Sequence, residues 1–229
     1  MKNQTSRYDI LFTKLSTHVQ EAQRFRQRIF RKSHKGLDRD QFDDNSIHCL
    51  IFDKKFEGQL VLVFRITNFS SMAQIVNSYS AQFYDLTKLS QYPFNPLELG
   101  RFCVDPASKD PLLVLTAIKF LSSYIQRNKR NFVFGCSSFE GCDSNSHSAS
   151  FSYLRTNYLA ADNFIIGTKA REVIKFSSIK TEKLSNTYDY RKNLPTLLKF
   201  YLRIGGKVSD HAVIDRDLNT LHVFTYVKL

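Results

Sequence analysis

A chain of 229 residues with 42% hydrophobic and 24% charged content carries enough apolar side chains to bury a core, which excludes disorder over most of its length. Its net charge of +12 favours an acidic partner, whether nucleic acid, anionic lipid or an acidic protein, without choosing among them. No run approaches the roughly 18 to 20 apolar residues that span a bilayer. The opening MKNQTSRYDILF has no apolar stretch followed by a small-residue cleavage site, so a cytoplasmic protein without a signal peptide is expected.

In chain order, Tyr8–Thr13 predicts a first strand, and Thr17 with Gln20 forms a capping-box pattern opening a helix to about Arg31. Ile47–Phe52 and Gln59–Ile66 read as strands joined by a turn at Lys54–Gly58. Ser70–Tyr92 is irregular with a short helix. Leu97–Val104 reads as a strand in which Gly100 hints at a bulge, and Pro111 opens an apolar helix running to about Gln126. Asn131–Gly135 is a strand, Ser148–Tyr158 a helix and Glu172–Ser177 a short strand. Pro195 stands where a first helical residue belongs, Gly205 and Gly206 stop that helix, and Leu221–Leu229 closes as a strand. No repeat or Pro/Gly linker interrupts the chain, so residues 1–229 read as one domain. A strand meander followed by alternating helices and strands suits an α/β fold, a mixed sheet with helices on both faces.

Cys49, Cys103, Cys136 and Cys142 form no CxxC pair and read as reduced, buried small hydrophobes. The histidines have no ligand spacing to them, so no metal is expected.

The informative residues are charges set among apolar ones. On the first helix Ala22, Arg26 and Phe30 share one ridge flanked by Val19 and Ile29, while Arg24, Arg28 and Arg31 point elsewhere, toward solvent. Arg26 therefore either enters the interior beside a carboxylate or covers the core edge with its stem. Asp38, Asp40, Asp43 and Asp44 supply carboxylates in the next segment. Arg65 ends the apolar strand QLVLVFRI on the face of Val61 and Val63. Glu98 and Arg101 lie within the apolar LELGRFCVD, where charges are costly unless paired or used by a site. Together Arg26, Asp40, Asp43, Arg65, Glu98 and Arg101 define a candidate polar cleft.

These residues carry a resemblance. Arg26 and Phe30 in RFRQRIF, Asp40 and Asp43 in DQFD, Arg65, and Glu98 with Arg101 in LELGRFCVD resemble, in order and approximate spacing, the signature of acyl-homoserine lactone synthases. That match fades beyond about Asp105. A second resemblance runs along nearly the whole chain: FYDLTKL, LELGRFCVDP, FVFGCSSF and LPTLLKFYLRIGGKV are similar to the ornithine lipid N-acyltransferase family. The late block is absent from lactone synthases, which also use a tryptophan in their S-adenosylmethionine pocket; this chain has no Trp.

Both resemblances imply the GNAT-like (acyl-CoA N-acyltransferase) fold, a mixed, mostly antiparallel sheet flanked by helices. Ordinary GNAT enzymes cradle coenzyme A pyrophosphate with a Q/RxxGxG/A loop; here that stretch is DPASKDPLL, without glycine. The phosphopantetheine arm of an acyl carrier protein is therefore the expected donor, with no bound cofactor. The implied reaction moves a (3-hydroxy)acyl chain to the α-amine of ornithine, giving a lyso-ornithine lipid. Alternatives are acylation of glycine or S-adenosylmethionine, or a basic module binding nucleic acid or a carrier protein; the nucleic-acid reading lacks any recognition motif.

By the same resemblance Glu98 is the general base, with Arg101 and Arg26 holding the cluster's geometry and charge. Backbone N–H groups around Phe102, Cys103 and Val104 would stabilise the oxyanion. Arg65 would hold ornithine's carboxylate and Asp40 or Asp43 its side-chain ammonium, with Asp215 a weaker candidate. Cys103 reads as packing, since aminolysis needs no thiol. The Lys169–Lys207 stretch has ten basic and three acidic residues, and Lys199 and Arg203, one above the other on a helix, are candidates for docking an acidic carrier or an anionic membrane.

Overall fold

A computed structural model describes residues 2–161, 164–179 and 193–229. In chain order the elements are β1 (Lys2–Gln4), β2 (Tyr8–Thr13), α1 (Ser16–Phe30), β3 (Ile47–Asp53), β4 (Gln59–Asn68), β5 (Tyr84–Asp85), β6 (Pro96–Val104), α2 (Pro111–Arg127), β7 (Phe132–Glu140), α3 (Ser148–Asn157), β8 (Gly167–Thr168), β9 (Val173–Lys175), α4 (Thr196–Arg203), β10 (Lys207–Asp215) and β11 (Thr220–Lys228). They form two compact units, Met1–Asn68 with Leu97–Arg130 and Phe69–Pro96 with Asn131–Leu229.

In the first unit β1, β2, β3, β4 and β6 pair antiparallel in that order. Because side chains alternate along a strand, the register sorts the residues by face. One face carries Leu50, Val63 and Cys103, against which α1 lays Ala22 and Phe25. On the other, Phe12 stacks on Tyr124 of α2 with centroids 5.6 Å apart, and the Tyr124 hydroxyl accepts from Asn68 at 2.7 Å. Asp110 caps α2 by accepting the Leu112 N–H at 2.9 Å, and Pro111 fills the first helical position, where its missing N–H costs nothing.

The second unit builds an antiparallel sheet in the order β7, β11, β10, β9. Phe151 and Leu154 of α3, with Leu198 and Leu202 of α4, cover one face over Phe139, Leu221 and Val223. The opposite face, with Phe132, Phe134, Phe224 and Tyr226, lies under the segment from Phe69 to Phe94 and under Phe164 and Ile166. That segment makes 3-10 turns and the short β5, which pairs with β8.

Several expectations shift. Leu15, not Thr17, precedes α1 and makes no side-chain cap, so the capping box does not form. Pro195 is extended and α4 begins at Thr196. The strand expected at Asn131–Gly135 runs to Glu140, and Arg65 sits within β4, which continues to Asn68. Strand β10 is absent from the sequence reading. Its centre, Ser209-Asp210-His211, is polar because the strand bulges there: Val208 faces Thr225 while Ala212 faces Val223. The Ser209 hydroxyl takes over the ladder by accepting the Phe224 N–H at 3.1 Å.

Candidate active site

The charges singled out in the sequence gather in the first unit. Arg26, on the α1 face that packs on the sheet, is 1% exposed. Its Nε donates to Asp38 at 2.9 Å and its Nη2 to Asp43 at 2.8 Å. Arg65, equally buried, donates from Nη1 to Asp43 at 2.7 Å and also to Asp40. Arg101 donates from Nη2 to Asp40 at 2.9 Å, with its Nε 3.4 Å from Asp38. At the half-buried margin Arg31 reaches the second oxygen of Asp38 at 3.2 Å. Arg31 and Arg28, the latter paired with Asp105 at 3.0 Å, are thus held in ion pairs rather than solvated.

Burial disfavours ionised carboxyls, but the arginines outweigh it. Asp43, between Arg26 and Arg65, is held far below the ordinary carboxylate range, and Asp40, beside Arg65 and Arg101, is also lowered. Gln23 adds a bond to Asp43 at 2.9 Å. His48 lies alongside, its Nε2 3.2 Å from the Asp43 carbonyl, and burial pushes its pKa down, so the ring adds no charge.

Glu98 is 2% exposed on β6, opposite Thr67, while Gly100 stands opposite Arg65. Glu98 and Arg65 therefore share the sheet face that α1 covers. Counted with Glu98, four carboxylates (Asp38, Asp40, Asp43, Glu98) balance four guanidiniums (Arg26, Arg31, Arg65, Arg101).

The bulge expected at Gly100 exists one residue on. Gly100 pairs with Arg65 and Cys103 with Val63, so Arg101 and Phe102 together oppose Phe64. Arg101, not the glycine, takes the left-handed backbone, at φ 53°. That conformation costs a non-glycine residue roughly 1 to 2 kcal/mol. It turns the Arg101 guanidinium to the Asp38 and Asp40 side while Phe102 stacks on Phe64 at 5.7 Å. Cys103 and Val104 return to register with Val63 and Leu62, so the break is narrower than the Phe102–Val104 stretch expected. Burial pushes the Cys103 thiol far up, which leaves it protonated and unsuited to nucleophilic work. Phe30 packs half-buried beside Phe25 and Cys103.

The sequence reading named Asp38 as an available carboxylate but left it out of the cleft; it bonds to two arginines and lies within 3.4 Å of a third. His48 and Gln23 were missed altogether. A loop has no periodicity to say which of four nearby aspartates turns inward, and a histidine in an apolar strand carries no signal of its neighbour. In the second unit Lys199 is half-buried and Arg203 exposed, and much of the Lys169–Lys207 stretch lies outside the described residues. Asp215 ends β10 and accepts the Leu218 N–H at 3.1 Å in the following turn. Among the described residues no helix is long and apolar enough to cross a membrane, and no group of three or more His, Cys, Asp or Glu is placed to hold a metal.

Antiparallel strands flanked by helices, with a bulge in the strand before α2, agree with a GNAT-like fold. Residues 21–118 match the family model described as acetyltransferase (GNAT) domain. Among solved structures the whole chain superposes on 92% of FeeM, an N-acyl amino acid synthase from uncultured soil microbes, with a TM-score of 0.53 at 9% identity. It also covers 81% of BjaI, a CoA-dependent acyl-homoserine lactone synthase, with a TM-score of 0.50 and 9% identity over 96% of this chain. At such identities these likenesses concern the fold.

In sequence the chain is similar to proteins named L-ornithine N(alpha)-acyltransferase: 29% identical to that of Brucella abortus (strain 2308) over 92% of this chain and 80% of the relative. It is 28% identical to that of Rhodobacter capsulatus, over 94% of this chain and 88% of the relative.

Proposed function

We propose that this chain is an N-acyltransferase that moves a (3-hydroxy)acyl group from acyl carrier protein to the α-amine of ornithine, giving a lyso-ornithine lipid. The observation that carries the reading is the likeness to relatives bearing one name along more than nine-tenths of this chain. The LELGRFCVD strand supports it. Burial of Glu98 next to a charge-balanced cluster is the setting a proton acceptor needs.

Ornithine's α-amine, with a typical pKa of about 8, is mostly protonated near neutral pH and must lose a proton before it attacks. Glu98 takes that proton, directly or through water. The amine nitrogen then adds to the thioester carbonyl, and backbone N–H groups at the bulged end of β6 stabilise the resulting oxyanion. Collapse forms the amide and expels the pantetheine thiolate, which takes up a proton. Arg26 and Arg101 hold the cluster's geometry and, with Arg31 and Arg65, match its carboxylates charge for charge. Arg65 and Asp40, already paired to each other, orient the cluster's mouth and offer ornithine's carboxylate and side-chain ammonium their counter-charges. Lys199 with Arg203 offers a basic contact for an anionic membrane.

Glu98→Gln, which keeps shape and removes basicity, should lower turnover by about 10²- to 10⁴-fold with the circular dichroism spectrum unchanged. Product is read by mass spectrometry after incubation with loaded acyl carrier protein and ornithine, lysine or glycine. Turnover within about threefold of wild type would end the assignment of Glu98, and preference for glycine or lysine would end that of ornithine.

A further inference from the structure

The first unit carries a surface that neither the charge cluster nor its packing explains. On α2, Leu112 and Leu115 are 59% and 56% exposed, and Lys119 follows one turn on, so the three form one outward ridge. Beside the start of this helix lies a cavity of about 410 Å³ lined by Arg7, Phe56, Ala107, Ser108, Lys109 and Asp110. Phe56, at the tip of the β3–β4 connection, is itself 52% exposed. Arg7 is used up internally, paired with Asp53 and Asp110 at 2.7 Å each. The lysines Lys55, Lys109 and Lys119 make no ion pair among the described residues, and Lys55 stands close enough to Asp110 to help depress its pKa. Leu112 and Leu115 on the helix ridge and Phe56 at the cavity's edge, with Lys55, Lys109 and Lys119 exposed on the same segments and Glu57 their one acidic neighbour beside Phe56, give a contact surface for an acidic partner with an apolar centre.

We infer that this surface, rather than Lys199 and Arg203, is where the acidic acyl carrier protein docks; the inference rests on the carrier being the acyl donor. Position argues for a carrier over a membrane. Lys109 is seven residues beyond Phe102, so at roughly 3.3 Å per residue the surface begins within about 23 Å of the bulge in β6. A partner seated there delivers a tethered thioester to the bulge, a requirement that a membrane contact does not have. The concave floor also suits a protruding protein surface better than a flat bilayer.

The test compares K55E/K109E/K119E and L112E/L115E with wild type, using the same acyl chain on carrier protein and on free pantetheine. Both variants should raise the KM for acyl carrier protein about tenfold or more, the charge variant most strongly at low salt. Turnover of acyl-pantetheine should stay within about twofold, which also reports that the variants fold. An unchanged carrier KM overturns the inference, as does an equal loss from K199E/R203E alone. Loss of sedimentation with phosphatidylglycerol vesicles at unchanged carrier KM assigns the surface to membrane and equally overturns it. If wild type uses acyl-pantetheine but not the loaded carrier, the donor in the proposed function fails together with this inference; if wild type uses the carrier and the variants do too, only the inference fails.

Discussion

The two units bury polar groups by opposite means. In the first, Arg26, Arg65 and Arg101 lie against Asp38, Asp40 and Asp43, charge against charge. In the second, buried polar groups meet through neutral hydrogen bonds set in aromatic packing: Tyr84 donates to the His222 carbonyl at 2.8 Å, and its oxygen lies 3.0 Å from Nδ1 of the same residue. Since the phenol has one proton and gives it to the carbonyl, Nδ1 must carry the ring's proton and donate it back. Burial, with His211 nearby, pushes the His222 pKa down to about 4, which keeps the ring neutral. A neutral network tolerates aromatic neighbours; a charged one must be balanced ion by ion. The balanced cluster surrounds the proposed base, and the neutral one is where the sheet is fastened to its covering segment.

The largest effect should come from unbalancing the charges. Asp43→Asn leaves Arg26 and Arg65 short of a buried partner and should cost about 3 to 5 kcal/mol in urea unfolding. A loss below about 1 kcal/mol would break the contrast, because the cluster would then be relaxed by water.

Next is pH. The folded pKa of His222, about 4, lies below the ordinary 6.5. Its contribution is therefore complete above about 6.5 and lost as pH falls toward 4, by roughly 3 kcal/mol in all. Asp40 and Asp43 are also depressed, but their contribution is complete above the ordinary carboxylate value and fails only as pH falls through their lower folded values. Hydrogen exchange between pH 7 and 4.5 should therefore loosen β10 and β11 before β4 and β3, where His48 is lowered by less than His222. Simultaneous loosening would contradict that order, and His222→Gln should flatten the dependence in the second unit.

Tyr84→Phe removes the hydroxyl, leaving the His222 carbonyl without its donor and Nδ1 without its acceptor, for a cost of about 1 to 3 kcal/mol. A neutral outcome would show that packing alone holds this face. The smallest effect concerns Cys103, whose thiol stays protonated: Cys103→Ala should keep acyl transfer within about twofold in the product assay and cost about 1 kcal/mol of stability. Loss of activity with folding intact would reopen a role for the thiol.

How much was legible beforehand follows from the kind of signal each element carries. Helix α2 could be read in advance because Pro111 and the apolar spacing after it act within a few residues. Strand β10 could not, because Ser209 and His211 are polar for a reason that lies across the sheet. Glu98, Arg26 and Arg65 stood out as charges in apolar periodic elements, which is a local anomaly. Asp38 gave no such sign, since loop aspartates look alike until the chain has turned.

By itself the sequence set Arg26 and Arg65 on the apolar faces of their elements and Glu98 and Arg101 within an apolar strand, because helical and strand periods fix which side chains share a face. Only the tertiary structure decided which ions meet. Arg101 pairs with Asp38 and Asp40, carried there by a bulge whose left-handed residue is the arginine and not the glycine before it. Pairing is a matter of distance between elements, and local periodicity holds no record of it.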